Sequence, residues 1–179
     1  MENHEFIKVF EWRDEYKTNL ENIDSQHSYL IGILNDFSNS FYSKTLTKNE
    51  FDSAVFKLLD YTNYHFKNEE ILMEKYKLSP EFINLHKQSH KAFLEKVYEM
   101  LDKLKDELDE NLAKNMIEFL ISWLVYHILG EDHSMARQIN LISEGVEANT
   151  AYETSKKEGE KEHKRLLESL GMLEIVKNL

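Results

Sequence analysis

Residues 51–76 read FDSAVFKLLDYTNYHFKNEEILMEKY, and this stretch sets the architecture because its inward positions recur in alternating steps of three and four. That spacing describes one stripe along an α-helix. The stripe contains Phe51, Val55, Leu58, Thr62, His65, Glu69, Leu72 and Tyr76. It predicts a long amphipathic helix whose buried side carries an imidazole and a carboxylate one turn apart.

Three further segments show the same helical spacing. The stripe before this stretch is Leu20, Ile23, His27, Leu30, Leu34, Phe37 and Phe41. The stripe after it is Phe82, His86, His90, Phe93, Val97, Met100, Leu104 and Leu108. The last stripe contains Met116, Leu120, Trp123 and His127. Four amphipathic helices joined by short connections predict an all-α protein, an up-down-up-down antiparallel four-helix bundle.

Capping residues mark where these helices begin. Thr47 and Glu50 fit a capping box, in which the hydroxyl and the carboxylate pair with free amide groups. Residues 79–80, Ser-Pro, form a start signal, because proline at the first helical position removes no hydrogen bond. Asp109 is placed to cap the fourth helix, and Gly130 is expected to loosen its end. With only 5 Gly and 1 Pro in the chain, a β-sandwich or barrel is disfavoured.

The chain is expected to have three parts. Residues 1–19 form an N-terminal arm with Trp12 and Tyr16, residues 20–137 form the bundle, and residues 138–179 form a charged helical tail. Apolar residues return near the end of the tail at helical spacing, at Leu166, Leu170, Leu173 and Val176. Because a short helix is marginal alone in water, this stripe predicts a contact with the bundle or with a second chain in a homodimer.

Composition excludes several classes of function. The net charge of −11 argues against nucleic acid and anionic membranes as partners, because both would repel the chain. The absence of cysteine excludes disulfides, iron–sulfur clusters and thiol catalysis. No apolar run approaches the roughly 18 residues of a membrane span, and the acidic N-terminus is unlike a secretory signal. A soluble, cytoplasmic protein is therefore expected.

Histidine and carboxylate side chains carry the strongest functional pattern. A single histidine on an apolar stripe is more often a hydrogen-bonded core residue than a metal ligand. Here, however, each of the four helices directs such groups inward, and leaving them buried without partners would cost several kcal/mol. The set is His27, His65, Glu69, His86, His90, His127 and Asp132. We therefore predict a metal site, with solvated or incidental roles for the remaining histidines, His4, His133 and His163.

The number of ligands favours two metal ions. Imidazole and carboxylate without sulfur suit iron, manganese or zinc, but one tetrahedral zinc would use only four of the seven groups. If two six-coordinate ions share two bridging carboxylates and a bridging oxygen, the five histidines leave one coordination position open. The odd number of histidines would then make the two ions unequal, and the open position is where dioxygen would bind.

The order and spacing of these residues resemble the ligand signature of the hemerythrins. The signature is His27, then His65-xxx-Glu69, then His86-xxx-His90, then His127-xxxx-Asp132. Trp12, followed by Ile23-Asp24-Ser25-Gln26-His27, is similar to the opening of bacterial members. The resemblance covers roughly residues 8–137, and every ligand position holds the residue type of the family.

The resemblance implies a di-iron centre bridged by an oxo or hydroxo group. His86, His90 and His127 would hold one iron ion, His27 and His65 would hold the other, and Glu69 and Asp132 would bridge them. Dioxygen would bind at the iron with two histidines. Leu30 lies one turn after His27 and Trp123 one turn before His127, so both are expected to face the site, as a ligand pocket or as ordinary core. An apolar pocket would withhold water and protons from dioxygen.

Three functions remain open at this stage. The first is reversible dioxygen binding for carriage, storage or delivery, without enzymatic turnover. The second is an oxygen or redox sensor that signals to a partner through the C-terminal tail. The third and least favoured is a di-iron enzyme, a peroxidase or a nitric oxide reductase, because no additional acid, base or tyrosine falls on the stripes beside the ligands.

Overall fold

A computed structural model describes residues 12–104 and 107–169 of the chain. Within those ranges it contains six α-helices and no strand, which confirms the all-α prediction. The helices are α1 (Glu21–Tyr42), α2 (Lys48–Lys75), α3 (Pro80–Lys103), α4 (Glu110–His127), α5 (His133–Ser143) and α6 (Ala148–Ser169). A 3₁₀ turn, Asp14–Tyr16, precedes α1, and a π-helical turn, Ile128–Asp132, joins α4 to α5.

The first four helices close into a ring. Each of them packs against the next, and α1 packs against α4, as an antiparallel bundle with short connections requires. Buried aliphatic and aromatic side chains fill the interior, among them Leu30, Leu34, Phe51, Val55 and Met116. Most residues of the predicted stripes therefore face this core, and some at the end of the bundle, such as Ile23 and Phe82, belong to a second cluster.

Two of the three predicted helix starts are confirmed in full. The amide of Thr47 donates to Glu50 Oε2 at 2.8 Å and the amide of Glu50 donates to Thr47 Oγ1 at 3.3 Å, which completes the capping box. Asp109 Oδ1 accepts from the amide of Leu112 at 2.8 Å and caps α4. At the start of α3, Pro80 takes the first helical position as predicted, but the Ser79 hydroxyl donates to Asn149 Oδ1 of α6 at 3.0 Å instead of capping.

Gly130 lies in a loosened segment directly after α4, but the helical path does not stop there. The helical path widens into the π-helical turn at Ile128–Asp132 and continues through α5 to Ser143. Gly145, with a φ of +94°, ends it instead, because glycine adopts this left-handed conformation without a steric penalty. The expected boundary between bundle and tail, at residues 137 and 138, therefore falls inside α5.

A second apolar cluster joins the bundle to α5 and α6. We call it the end cluster, and it contains Ile23, Met73, Leu78, Phe82, Met135, Ile139 and Tyr152. Helix α6 packs along α5 and against the π-helical turn, with Ala151 and Ser155 fully buried. The tail stripe predicted farther along the chain lies outside the described residues at Leu170, Leu173 and Val176, as does His4.

The N-terminal arm is tied to α5 by a histidine for which we expected no structural role. His133 is buried, and its Nε2 lies 3.2 Å from the carbonyl oxygen of Tyr16, itself buried. Asp24 Oδ1 accepts from the amide and the hydroxyl of Thr18, at 2.7 and 2.8 Å. These contacts hold Trp12 and Tyr16 close to the start of α1.

One helix among the described residues is long and apolar enough to cross a membrane by length and composition. It is Glu110–Ser143 taken through the π-helical turn, and 56% of its most apolar window is buried inside the structure. This finding qualifies the expectation that no apolar run approaches spanning length. The same helix delivers His127 and Asp132 to the interior, as the core helix of a bundle does.

Candidate metal centre

All seven predicted ligand residues meet inside the bundle. Helix α1 supplies one histidine, α2 a histidine and a glutamate, α3 two histidines, α4 one histidine and the π-helical turn an aspartate. Every one of these side chains is buried: His27, His65, Glu69, His86, His90, His127 and Asp132. Because each lies on the inward side of its helix, the four helices converge on a single polar cluster within an apolar core.

The seven side chains form two groups that share a carboxylate. The ligand atoms of Glu69, His86, His90 and His127 lie within 4.8 Å of one another, and so do those of His27, His65, Glu69 and Asp132. We call these the three-histidine group and the two-histidine group. This division is the one that the hemerythrin resemblance implied.

Glu69 directs one oxygen toward each group. Its Oε1 lies 3.9 Å from His27 Nε2 and 3.4 Å from His65 Nε2. Its Oε2 lies 3.5 Å from His86 Nε2 and 3.2 Å from His90 Nε2. A carboxylate held in this way can place one oxygen on each of two neighbouring metal ions.

Asp132 divides its oxygens in the same manner. Its Oδ2 lies 3.0 Å from His27 Nε2, whereas its Oδ1 lies 3.1 Å from His127 Nε2 and 3.5 Å from His86 Nε2. Glu69 and Asp132 are therefore both suited to bridge the two groups.

The π-helical turn explains how Asp132 reaches the site. It follows His127 by five residues, and in a regular α-helix with 3.6 residues per turn these two side chains would point well apart. The wider i→i+5 turn at Ile128–Asp132 brings them to the same side. This turn was not predicted, although the spacing of five between His127 and Asp132, where the other two pairs have four, indicates it.

Unpaired buried atoms show that the site fits a metal. Within the described part of the chain, both oxygens of Glu69 and of Asp132 have no hydrogen-bond partner, nor do Nε2 of His27, His65 and His86. Burying such groups without partners costs free energy, which coordination to metal ions would recover. Imidazoles and carboxylates without sulfur are a donor set that iron, manganese and zinc accept.

Not every ligand residue has its metal-binding protonation state in the metal-free chain. Burial lowers the pKa of His65 to about 4, and burial also lowers the pKa of His90, so both imidazoles are neutral near pH 7. Burial would raise the pKa of Glu69, but the surrounding histidines outweigh it and hold that pKa well below its usual range. Neutral imidazole and ionised carboxylate are the forms that bind metals. Burial would lower the pKa of His127, but the neighbouring carboxylates outweigh it and raise that pKa well above its usual value, so this imidazole must lose a proton when metal binds.

Outer hydrogen-bond partners orient two of the histidines. His65 Nδ1 lies 2.9 Å from Gln26 Oε1, and both side chains are buried. His90 Nδ1 lies 3.4 Å from Glu70 Oε1. Donation from Nδ1 to these oxygens leaves Nε2 of each ring free and aimed into the cluster.

A third outer group lies on the π-helical turn and contacts its histidine at ion-pair distance, not as a hydrogen-bond partner. Glu131 Oε2 is 3.2 Å from His127 Nδ1, and Glu131 Oε1 accepts from the Ser89 hydroxyl at 3.0 Å. Gln26, Glu70 and Glu131 were not predicted, because none of them lies on an inward stripe. Each is adjacent in the sequence to an inner residue, namely His27, Glu69 and Asp132. Its side chain contacts the outer nitrogen of one ligand histidine.

Aromatic rings enclose the cluster. Trp123 stacks on His127 with ring centroids 4.2 Å apart, and Phe66 stacks on His90 at 3.7 Å. Both contacts are with the three-histidine group. On the other side, Trp12 lies 6.2 Å from His27. Leu30, the other predicted pocket residue, is fully buried in the core, whereas Trp123 is partly buried.

Comparison with known proteins gives one consistent result. Residues 18–139 match the family model described as the hemerythrin HHE cation binding domain. The chain is 29% identical over 128 residues to a bacteriohemerythrin of Stenotrophomonas maltophilia, covering 72% of this chain and 80% of the relative. It is 28% identical over 142 residues to a bacteriohemerythrin of Pseudomonas aeruginosa, covering 75% and 89%. A bacteriohemerythrin of Clostridium acetobutylicum is 28% identical over 128 residues, covering 69% and 96%.

Proposed function

Because the chain belongs to the hemerythrin family, we propose that it binds dioxygen reversibly at a non-haem di-iron centre. The observation that carries this proposal is the pair of shared carboxylates. Glu69 and Asp132 each turn one oxygen to the two-histidine group and the other to the three-histidine group. Two ions held side by side are the simplest occupant of such an arrangement.

Each group would hold one iron ion, bridged by an oxo or hydroxo group as well as by the carboxylates. His86, His90 and His127 would bind one ion, and His27 and His65 would bind the other. With one histidine fewer, the second ion would keep the position where dioxygen binds. When bound, the iron pair supplies the electrons that oxygenation needs.

The surrounding side chains favour release of dioxygen over its further reduction. Phe66 and Trp123 cover ligand histidines with aromatic rings, and Leu30 is buried one turn from His27. Apolar walls exclude water and keep protons from the bound gas. The outer groups Gln26, Glu70 and Glu131 contact the far nitrogens of histidines, so they orient ligands and do not face the interior of the cluster. Carriage, storage or delivery of dioxygen is therefore preferred over a peroxidase or nitric oxide reductase activity.

Iron content and oxygen uptake test this proposal. Protein produced with ample iron should contain about two iron ions per chain and should change its visible spectrum on exposure to air. Flushing with argon should restore the original spectrum over repeated cycles. One zinc ion per chain would contradict the di-iron site, and steady consumption of peroxide or nitric oxide would favour the enzyme.

A sensor is a second candidate, and one specific contact favours it. Helix α6 packs on α5 and on the π-helical turn that carries Asp132, and Ser155 Oγ lies 2.7 Å from Ser134 Oγ, two residues beyond Asp132. A change at the metal centre could therefore be passed to the tail and to a signalling partner or second copy bound there. If the protein is a sensor, the rate of proteolytic cleavage in α6 should differ between the deoxygenated and the oxygenated protein. Identical cleavage rates would favour the carrier function.

We infer a cytoplasmic protein whose ligand is dioxygen. The net charge of −11 disfavours binding to nucleic acid or to anionic membranes. Fractionation of producing cells tests the location, and electrophoretic mobility with added DNA tests the exclusion of nucleic acid.

A further inference from the structure

The outer nitrogens of the ligand histidines meet different chemistry in the two groups. In the three-histidine group, His90 Nδ1 lies 3.4 Å from a Glu70 carboxylate oxygen and His127 Nδ1 lies 3.2 Å from one of Glu131. In the two-histidine group, His65 Nδ1 lies 2.9 Å from the neutral amide oxygen of Gln26. His27 Nδ1 has no hydrogen-bond partner among the described residues, and neither does His86 Nδ1 of the three-histidine group, so the difference between the groups lies in the two carboxylates.

This difference is separate from the carboxylates that the two groups share. Glu69 and Asp132 each present one oxygen to either group, so their charges act on both ions. Among the ligand histidines, Glu70 and Glu131 contact only members of the three-histidine group. The outer environment therefore adds negative charge to one side of the centre and a neutral dipole to the other.

A carboxylate that accepts from the far nitrogen of a histidine makes that imidazole a stronger electron donor to its metal. Negative charge nearby also stabilises the additional positive charge of the ferric state by Coulomb attraction. The Glu70 and Glu131 side chains are 34% and 30% exposed, so water and salt reduce this attraction without abolishing it. Both effects favour oxidation of the ion in the three-histidine group.

We propose that Glu70 and Glu131 are positioning residues that lower the reduction potential of the iron held by His86, His90 and His127, and thereby raise the affinity for dioxygen. The inference rests on the proposed di-iron function. When bound, the iron pair would supply two electrons to dioxygen, one from each ferrous ion, and a hydroxide at the centre would supply a proton. The electrons and the proton return when dioxygen leaves. The ion that does not contact dioxygen must still be oxidised, so its potential contributes to the binding equilibrium.

The test replaces each charge and keeps its shape. Glu131→Gln and Glu70→Gln retain an oxygen acceptor but remove the negative charge. Glu99→Gln is the matched control, since Glu99 is a surface carboxylate paired with Lys96 and Lys103. Gln26→Glu adds the charge to the two-histidine group instead. Iron content is measured first, then the midpoint potential by spectroelectrochemical titration, the Mössbauer doublets of the two ions, and the oxygen affinity.

We expect Glu131→Gln and Glu70→Gln each to shift the one-electron equilibrium toward the ferrous state by up to tenfold, which is about 59 mV upward. The oxygen affinity should fall by a similar factor, and the altered Mössbauer doublet should belong to one ion. Gln26→Glu should shift the potential downward and alter the other doublet. Glu99→Gln should change neither quantity.

Two results would overturn the inference while leaving the proposed function intact. In the first, the parent protein contains two irons and binds oxygen reversibly, but the Glu131→Gln and Glu70→Gln variants shift the midpoint potential no more than Glu99→Gln does. In the second, both variants lose iron. The two carboxylates would then be needed to hold the ligand histidines in place, and they would not act by lowering the reduction potential of the iron. A parent protein without two irons would instead remove the proposed function itself.

Discussion

Asp132 Oδ2 lies 3.0 Å from His27 Nε2, so the π-helical turn after α4 meets the first helix of the bundle at the metal centre. The other oxygen of the same carboxylate lies 3.1 Å from His127 Nε2. Chain segments more than a hundred residues apart are thus brought together by one side chain. In the absence of metal this contact is electrostatic, whereas a metal pair would tie α1 through α4 into one unit.

Removing two ligands from one helix should abolish metal binding. His86→Ala with His90→Ala deletes two of the three imidazoles of the three-histidine group, and we expect loss of iron and a lower melting temperature. The reason is that metal bound only by the folded chain stabilises it by mass action. Iron analysis and thermal unfolding measure both effects. Lys91→Ala, at an exposed position of the same helix, is the control. Retention of two irons would contradict the ligand assignment.

Shrinking the rings and side chains around the centre should admit water and protons. Leu30→Ala removes a fully buried side chain from the core and should cost about 2–5 kcal/mol of unfolding free energy. Trp123→Ala should cost less than the roughly 3–5 kcal/mol of a fully buried tryptophan, because Trp123 is only partly buried.

Autoxidation in air, followed by the loss of the oxygenated spectrum, distinguishes the roles of these two residues. If both wall the ligand pocket, both variants should autoxidise faster than the parent at equal iron content. Trp123 contacts His127 of the three-histidine group, so a variant with an unchanged rate would assign it to packing of that ligand. An unchanged rate for Leu30→Ala would place the pocket elsewhere.

Shortening the chain should reveal how far the bundle extends. Ending it after Arg137 cuts α5 and removes Ile139 and Tyr152 from the end cluster. We expect a loss of about 1.5–3 kcal/mol for each large apolar side chain that is removed or exposed. Urea unfolding of the metal-free proteins measures this loss. Ending the chain after Ser169, which keeps all six helices, is the comparison, and equal stability of the two would show that the end cluster contributes nothing.

The capping box of α2 should affect stability without affecting chemistry. Thr47→Ala removes the hydroxyl that accepts from the amide of Glu50, and should cost about 0.5–2 kcal/mol. The box lies at the start of α2, several turns from His65, so iron content and oxygen affinity should not change. Chemical unfolding and iron analysis of the same preparation test both statements. A change in oxygen affinity would show that the helix start is coupled to the centre.

Much of the fold and the inner site could be predicted because both depend on helical periodicity. The stripe through His65 and Glu69 predicted that these side chains point into the bundle. Thr47, Pro80 and Asp109 predicted where helices begin. The outer partners could not be found in this way, since Gln26, Glu70 and Glu131 lie about 100° away from their neighbours around the helix. Gln26 and Glu70 reach histidines of neighbouring helices through their long side chains, whereas Glu131 reaches His127 four residues earlier along the same helical path.

Periodicity also failed where packing uses small or polar groups. The first half of α6 docks through Ala151, Tyr152 and Ser155, which do not form an apolar stripe that the sequence would reveal. His133 was expected to be incidental, yet its contact with the Tyr16 carbonyl depends on where the arm lies, which no local pattern encodes. Tertiary packing decided each of these cases.

The π-helical turn contains one residue more than an α-helix would need to bring His127 and Asp132 to the same side. Deleting a single residue within it would place the aspartate four positions after the histidine, the spacing that already joins His65 to Glu69 and His86 to His90. The downstream helix would keep nearly the same orientation, because the residues of an i→i+5 turn cover about the same rotation as one residue fewer in an i→i+4 turn. A change of one codon could therefore convert the wide turn into ordinary helix, so sequences with either spacing can encode the same bundle.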